Sequence, residues 1–249
     1  MIRAAEVSLS AGQATLLDQV SMAVDAGELV AVVGPNGAGK SSLLSVLAGD
    51  QRPGSGTVTV AGQDVFSLRP AKLARLRAVL PQRVTLAFPF TVAEVVEMGL
   101  HARRRDGGGE AVARALAVTD VAHLAGRRYP TLSGGEQARV SLARVLVQQA
   151  PVLLLDEPTA ALDLRHQEQV MRVARDRAAE GDAVVVVLHD LNLAAAYADR
   201  VVLLRDGRIA AQGPPAEVLD AEVLSDVYAC PVEVRGTGEE LLVLPRRVN

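Results

Sequence analysis

Aromatic residues are nearly missing from this chain. Three Phe, three Tyr and no Trp make up 2% of its 249 residues, so aliphatic side chains must fill whatever core forms. Cysteine is just as scarce. Cys230 stands alone, which excludes an internal disulfide and fits a reducing compartment; beside Pro231 it reads as a small apolar filler. No excess of one charge exists either: 26 basic against 29 acidic residues leave a net charge of −3. That excludes a global basic field for nucleic acid or anionic lipid. Lysine is rarer still, because only Lys40 and Lys72 stand among 24 arginines. Apolar runs such as Ala183–Leu188 fall far short of the roughly 20 residues that span a bilayer. The first residues show no basic-then-apolar signal segment. If the protein works at a membrane, something else holds it there.

What is present is a globular composition, 49% hydrophobic and 22% charged, long enough for one large domain or a domain with an inserted lobe. Four short apolar runs read as buried parallel strands: Leu29–Val33, Val152–Leu155, Ala183–Leu188 and Val201–Leu204. Between two of them, Val170, Val173, Ala174 and Ala178 form one apolar helical stripe. Alternating strands and helices predict a parallel α/β sheet with right-handed crossovers. Two regions break the rhythm. Residues 1–28 and 55–66 alternate in the manner of Thr57-Val58-Thr59-Val60, which suits an antiparallel β lobe, and the Ala- and Arg-rich residues 88–150 read as a helical insertion. Within the insertion, Arg103-Arg104-Arg105-Asp106-Gly107-Gly108-Gly109 reads as a polar loop, either solvated or facing anionic lipid or a partner. Asp206-Gly207 between two apolar segments is a hairpin signal.

The chemistry begins at Gly34-Pro35-Asn36-Gly37-Ala38-Gly39-Lys40-Ser41, set between the strand Leu29–Val33 and a helix starting near Lys40. Glycines let the backbone fold tightly enough for its N–H groups to surround β- and γ-phosphates. The helix adds its positive end, Lys40 a full charge, and Ser41 a hydroxyl for Mg²⁺. One of only two lysines sits in this loop, so its placement is not an accident of abundance. The chain binds a nucleoside triphosphate.

A second constellation lies at Val152-Leu153-Leu154-Leu155-Asp156-Glu157, a strand ending in two acids. Adjacent residues at a strand end point in different directions. Beside the phosphate loop, Asp156 can hold hydrated Mg²⁺ while Glu157 faces the water that attacks the γ-phosphate. A third string, Leu132-Ser133-Gly134-Gly135-Glu136-Gln137, opens a helix running to about Gln149. Ser133 has N-cap chemistry and the glycines expose N–H groups, which makes a second anion site.

With these strings in order, the chain resembles the nucleotide-binding subunit of an ABC transporter over essentially its whole length, and Leu132–Gln137 resembles that family's signature. The resemblance implies a P-loop NTPase (RecA-like) fold: an α/β parallel-sheet core, an N-terminal antiparallel β lobe and an inserted helical subdomain. It places the ATP-binding domain at 2–238, with core 1–82 and 151–238, helical subdomain 83–150, and a C-terminal tail at 239–249. It implies that Gln82 reaches Mg²⁺ and the attacking water, that Asp163 lies in the loop coupling two subunits, and that His189 is the switch histidine at the γ-phosphate. His101, His123 and His166 match no catalytic motif. Two departures stand out. Residues 1–30 hold no aromatic to stack on adenine, so triphosphate contacts dominate affinity. Ser42 replaces the family's usual Thr and keeps a hydroxyl for phosphate.

The family places ATP between Gly34–Ser41 of one subunit and Ser133–Gln137 of the other, which implies a homodimer with ATP and Mg²⁺. With no span of its own, the chain needs two integral membrane permease subunits and, indirectly, a substrate-binding protein; it touches neither nucleic acid nor the cargo. The expected place is peripheral, on the cytoplasmic face of the inner membrane. Leu73–Val79, Leu86–Val92 and Ala161–Gln167 most resemble the haemin-importing members of the iron-complex and cobalamin importer group. Import of a ferric siderophore or of cobalamin is the alternative, and a soluble, non-transport ABC ATPase the more distant one. Phe88 and Phe90 are read either as an exposed anchor for the membrane subunit or as part of the helical lobe's core.

Overall fold

The computed structural model describes residues 1–82, 88–102 and 108–246, with only the backbone of His101, Ala102 and Glu239. Two long strands, β1 (Ile2–Ala11) and β2 (Ala14–Val24), pair antiparallel and lead into the wholly buried β3 (Leu29–Val33). Helix α1 (Lys40–Ala48) follows, stopped by Gly49 at φ 77°. Next, β4 (Ser55–Val60) and β5 (Gln63–Asp64) complete a four-stranded antiparallel sheet in the order β2-β1-β4-β5. This is the antiparallel lobe anticipated for 1–28 and 55–66.

The short α2 (Pro70–Leu76) delivers β6 (Arg77–Leu80), a strand with no signal in the sequence. The helical lobe contains α3 (Val92–Glu97), α4 (Gly108–Val118) and α5 (Gly134–Leu146). Helix α5 ends at Leu146, one turn before the expected Gln149. Gly108 and Gly109, expected in a loop, form the first turn of α4, while Arg103–Gly107 lies outside the described residues, as do Leu86 and Ala87. The chain then alternates: β7 (Val152–Asp156), α6 (Leu164–Ala179), β8 (Ala183–Val187), α7 (Leu191–Tyr197), β9 (Arg200–Arg205). All four apolar runs are strands of one six-stranded sheet, ordered β9-β3-β8-β7-β6 with one further strand beyond β9. Five strands run parallel, and β10 (Arg208–Gly213) turns back at Asp206 and Gly207, whose φ of 48° and 77° meet the demand of a two-residue hairpin.

Alternation along the buried strands sorts the core into two layers. Leu29, Ala31, Val33, Leu153 and Leu155 face a cluster with Val170, Met171, Ala174 and Ala178 of α6. Val30, Val32, Val152 and Leu154 face the other side, where α1 and the antiparallel lobe contribute Leu43, Leu47, Val7 and Val20. A third cluster, including Val95, Leu116 and Val140, sits in the helical lobe. Four parallel strands, β3, β6, β7 and β8, therefore send their C-terminal ends to one edge, the usual ligand position in an open α/β sheet.

After β10 come α8 (Pro215–Val218), α9 (Ala221–Tyr228) and a hairpin of β11 (Val232–Arg235) with β12 (Leu242–Pro245). Strand β12 lies inside the 239–249 stretch set apart as a tail, and Leu241 and Val243 there are buried in the central core. Cys230 departs from expectation. It is exposed rather than a buried filler, because α9 has ended and the chain is turning toward β11.

Candidate ATP site

Gly34 through Ser41 leave β3 and wrap into α1. Gly34 has φ +144°, and a Cβ there would lie 2.2 Å from the Leu204 carbonyl; Gly39 has φ +100° and would meet the Leu16 carbonyl at 2.6 Å. Only glycine fits these two places. Lys40 is 6% exposed, and its ammonium donates to the carbonyls of Gly34 at 2.7 Å and Pro35 at 2.9 Å. An ammonium has three donors, so a third stays available to an anion. Burial pulls the Lys40 pKa below its ordinary value, opposed by the Glu157 and Asp156 carboxylates. Asn36, Gly37 and Ser41 are exposed at the mouth, Pro35, Gly39 and Ser42 half-buried, and Ala38 buried.

The two acids separate as their adjacency suggested. Asp156 closes β7, is 9% exposed and accepts from the Ser41 hydroxyl at 3.3 Å. Burial raises its pKa, opposed by the Ser41 hydrogen bond; Glu157 adds to the rise, while Lys40 and His189 work against it. Glu157 has left the strand, at a left-handed φ of 49°. Its carboxylate is clasped from both sides: Gln82 Nε2 donates to Oε2 at 2.7 Å, and His189 Nε2 lies 2.7 Å from Oε1. Gln82 follows β6 and His189 follows β8, so three strand ends converge on one carboxylate.

Ser41, Asp156 and Gln82 offer hard oxygen donors, a set suited to Mg²⁺, which prefers one or two protein ligands with water and phosphate oxygens. Among the described residues no group of three or more His, Cys, Asp or Glu could cage a metal. The donor set thus fits a cation arriving with substrate phosphates.

Ser133–Gln137 lies apart. Ser133 caps α5 by accepting from the Glu136 amide at 3.3 Å, and Glu136 accepts from the Ser133 amide at 2.7 Å, a capping box. The Ser133 amide, and after it the Ser133 hydroxyl, hold the Glu136 carboxyl below its ordinary pKa. Gln137 turns inward, donating to the carbonyls of Tyr129 and Leu132. Gly134 and Gly135 keep the helix start bare; a Cβ on Gly135 would meet the Ala161 carbonyl at 3.2 Å. Among the described residues, none of these five bonds to the phosphate loop or to the acid pair. A cleft joins the two regions, lined by Gln82, Asp156, Glu157, Gly134, Gln137 and Ala161. Asp163 also stands away from the acids. It caps α6, accepting from the His166 amide at 3.0 Å, with His166 Nδ1 at 2.6 Å. His166 and His123 lie on helical turns.

Sequence reading missed three residues. Arg139 is 7% exposed, its Nε bonds to no partner among the described residues, and its charge acts on Glu136 and Asp163. Asn192 of α7 binds β12 through Val243. Tyr228 buries its hydroxyl near Gly34. None belongs to a contiguous string, so only the fold exposes them.

The protein-family comparison matches the ABC transporter family over residues 17–160. A hemin import ATP-binding protein of Nocardia farcinica is 59% identical over 239 residues, covering 93% of this chain and 83% of its own. One from Streptomyces coelicolor is 59% identical over 243 residues, covering 95% and 86%. Among solved structures, a dimeric ATP-binding cassette in a post-hydrolysis state with ADP and Pi bound is 28% identical, with a TM-score of 0.79, covering 86% of this chain and 99% of that one. An inward-facing transporter assigned to the metal-chelate ABC type is 26% identical, with a TM-score of 0.82, covering 99% and 97%. A lysine-bearing phosphate loop, an acid pair at a neighbouring strand end and these likenesses lead to one conclusion: the chain belongs to the ABC transporter family, as an ATP-binding, ATP-hydrolysing cassette.

Proposed function

We propose that this chain is the ATPase subunit of an importer that moves haemin across the cell membrane through separate membrane subunits. Carrying the reading is the carboxylate of Glu157, clasped by Gln82 and His189 at the strand edge that also presents Lys40 and Ser41. The printed function of relatives 59% identical over nearly the whole chain supports the cargo. Residues 2–238 act as the ATP-binding unit, with 83–150 as its inserted helical subdomain. Two copies, each lending Ser133–Gln137 to the other's phosphate loop, work with two integral permease subunits and, indirectly, a substrate-binding protein. The chain sits peripherally on the cytoplasmic face of the inner membrane and does not touch the cargo. No described helix is long and apolar enough to cross a membrane.

In the reaction, the backbone amides of Asn36–Ser41 and the Lys40 ammonium hold the β- and γ-phosphates, with Ser42 donating to a phosphate oxygen. Glu157 accepts the proton of the water that attacks the γ-phosphorus, and the bond to the bridging oxygen of ADP breaks. Gln82 orients that water, His189 contacts the γ-phosphate, and Asp163 carries the contact between copies. Ser41, Asp156 and Gln82 would hold Mg²⁺, which when bound neutralises charge on the phosphate oxygens. The Phe88–Phe90 pair supports the membrane contact: the rings meet edge to face at 6.0 Å, Phe88 is 66% exposed, and Phe90 packs against the helical lobe.

Glu157→Gln should bind ATP, lose turnover and accumulate as a dimer in size-exclusion light scattering. A variant that stays monomeric with ATP, alone and with the membrane subunits, would remove the shared-site reading. In liposomes with those subunits, haemin should stimulate hydrolysis. Stimulation by a ferric siderophore or cobalamin instead would assign that cargo. Recovery of no membrane protein in a pull-down would move the chain to the soluble ATPases.

A further inference from the structure

Helix α9 lies outside every motif discussed above, yet it ends beside the phosphate loop. Its last residue, Tyr228, packs its ring against the central core and buries its hydroxyl without a hydrogen-bond partner among the described residues. The backbone group that acts on that hydroxyl is the Gly34 amide. Burial pushes the phenol up to about 12, the amide opposing the rise, so the group is a neutral hydroxyl at any working pH. Independent contacts put α9 in the same place. Gly34 is wedged against the Leu204 carbonyl at the end of β9, and the next residue, Arg205, is ion-paired with Asp226 of α9. Behind α9, Ser225 Oγ accepts from the Val232 amide at 2.9 Å and so ties the helix to the β11–β12 hairpin. That hairpin is itself held by Asn192, in the helix just after His189.

We propose that Tyr228 is a positioning residue for the phosphate loop, its hydroxyl accepting from the Gly34 N–H when the loop tightens around a triphosphate. The physical reason is an imbalance. A buried hydroxyl without a partner is costly, and a small turn of the Gly34 peptide supplies one. Glycine is the residue that permits such a turn at low cost. Binding of the triphosphate therefore relieves an unsatisfied group in the scaffold, and the tightened loop is favoured over the open one. Asp226, through Arg205, fixes where α9 stands relative to β9 and so sets the reach of the hydroxyl.

The proposal rests on Gly34–Ser41 being the triphosphate loop, so the test separates the two ideas. Full-length wild type, Tyr228→Phe and Lys40→Ala are titrated with a fluorescent ATP analogue, and hydrolysis is measured on the complexes with the membrane subunits. Tyr228→Phe should weaken analogue binding and raise the KM for ATP by about three- to tenfold, the range for one hydrogen bond. Its kcat should stay within about twofold and its thermal midpoint should not fall, since the hydroxyl is unpartnered before the loop closes. Asp226→Ala should raise KM in the same direction. Equal affinity in wild type and Tyr228→Phe overturns the proposal, as does a fall in kcat together with a lowered midpoint, which would assign the hydroxyl to folding. If instead wild type shows no Lys40-dependent binding, the triphosphate reading itself has failed.

Discussion

At Glu157 the backbone and the chemistry are coupled. A left-handed φ of 49° is costly for a non-glycine residue, on the order of 1–3 kcal/mol. Here it swings the carboxylate out of the line of β7 and into reach of Gln82 and His189. The phosphate-loop glycines divide in the same physical terms. Gly34→Ala sets a Cβ 2.2 Å from a carbonyl and should abolish ATP binding by titration calorimetry. Gly37 has φ +81° with nothing within 4 Å, so Gly37→Ala should cost only the conformational strain, about 1 kcal/mol. Asp156 predicts a pH dependence. Its pKa is raised by burial, so its contribution to folding is present below the ordinary aspartate range and lost as pH rises through the raised value. Cation binding needs the carboxylate, so Mg²⁺-ATP affinity should climb over that same rise. Asp156→Asn should flatten the profile, and a pH-independent wild type would contradict the assignment. These residues were legible because each sits in a short string whose spacing has a chemical reason. Arg139, Asn192 and Tyr228 were not, because their roles come from contacts between distant parts of the chain.

Helix starts carry much of the organisation at the scale of elements. Thr91, Ser133, Asp163, Asp190 and Asp220 each cap a helix through a side-chain oxygen, and the first two form full capping boxes. Ser133→Ala should cost about 1 kcal/mol of stability. For a domain of this size that corresponds to roughly 2–4 °C in thermal midpoint by calorimetry. The capping bond is long, 3.3 Å, so a loss of activity without the shift would mean that the hydroxyl serves the nucleotide rather than the helix. Apolar runs made β3, β7, β8 and β9 readable, since strands buried on both faces need no alternation. Strand β6 was not readable: four residues beginning with arginine carry no pattern. Tertiary bonds hold it instead, with Arg77 donating to the Ala48 carbonyl at 2.6 Å and pairing with Asp50 at 3.0 Å. The β11–β12 hairpin was hidden for the same reason, its placement depending on Asn192 and Ser225.

Taken as a whole, the molecule spreads its apolar residues over two layers of one sheet and a helical lobe, and the lobe holds the signature string while the sheet edge holds the acids. Helix α5 joins the two, with Leu142 and Val145 in the sheet core and Val140 and Ala143 in the lobe, so the signature string is carried on a helix anchored to the sheet. The exposed thiol of Cys230, unique in the sequence and two residues past Tyr228, offers a mark for the approach of two copies. A nitroxide attached there marks each copy once, so a paired assembly carries two spins with no cysteine introduced or removed. Dipolar spectroscopy should then return one separation without nucleotide and a shorter, narrower one when the Glu157→Gln form is loaded with ATP. Should the two distributions coincide, the copies do not close on one another.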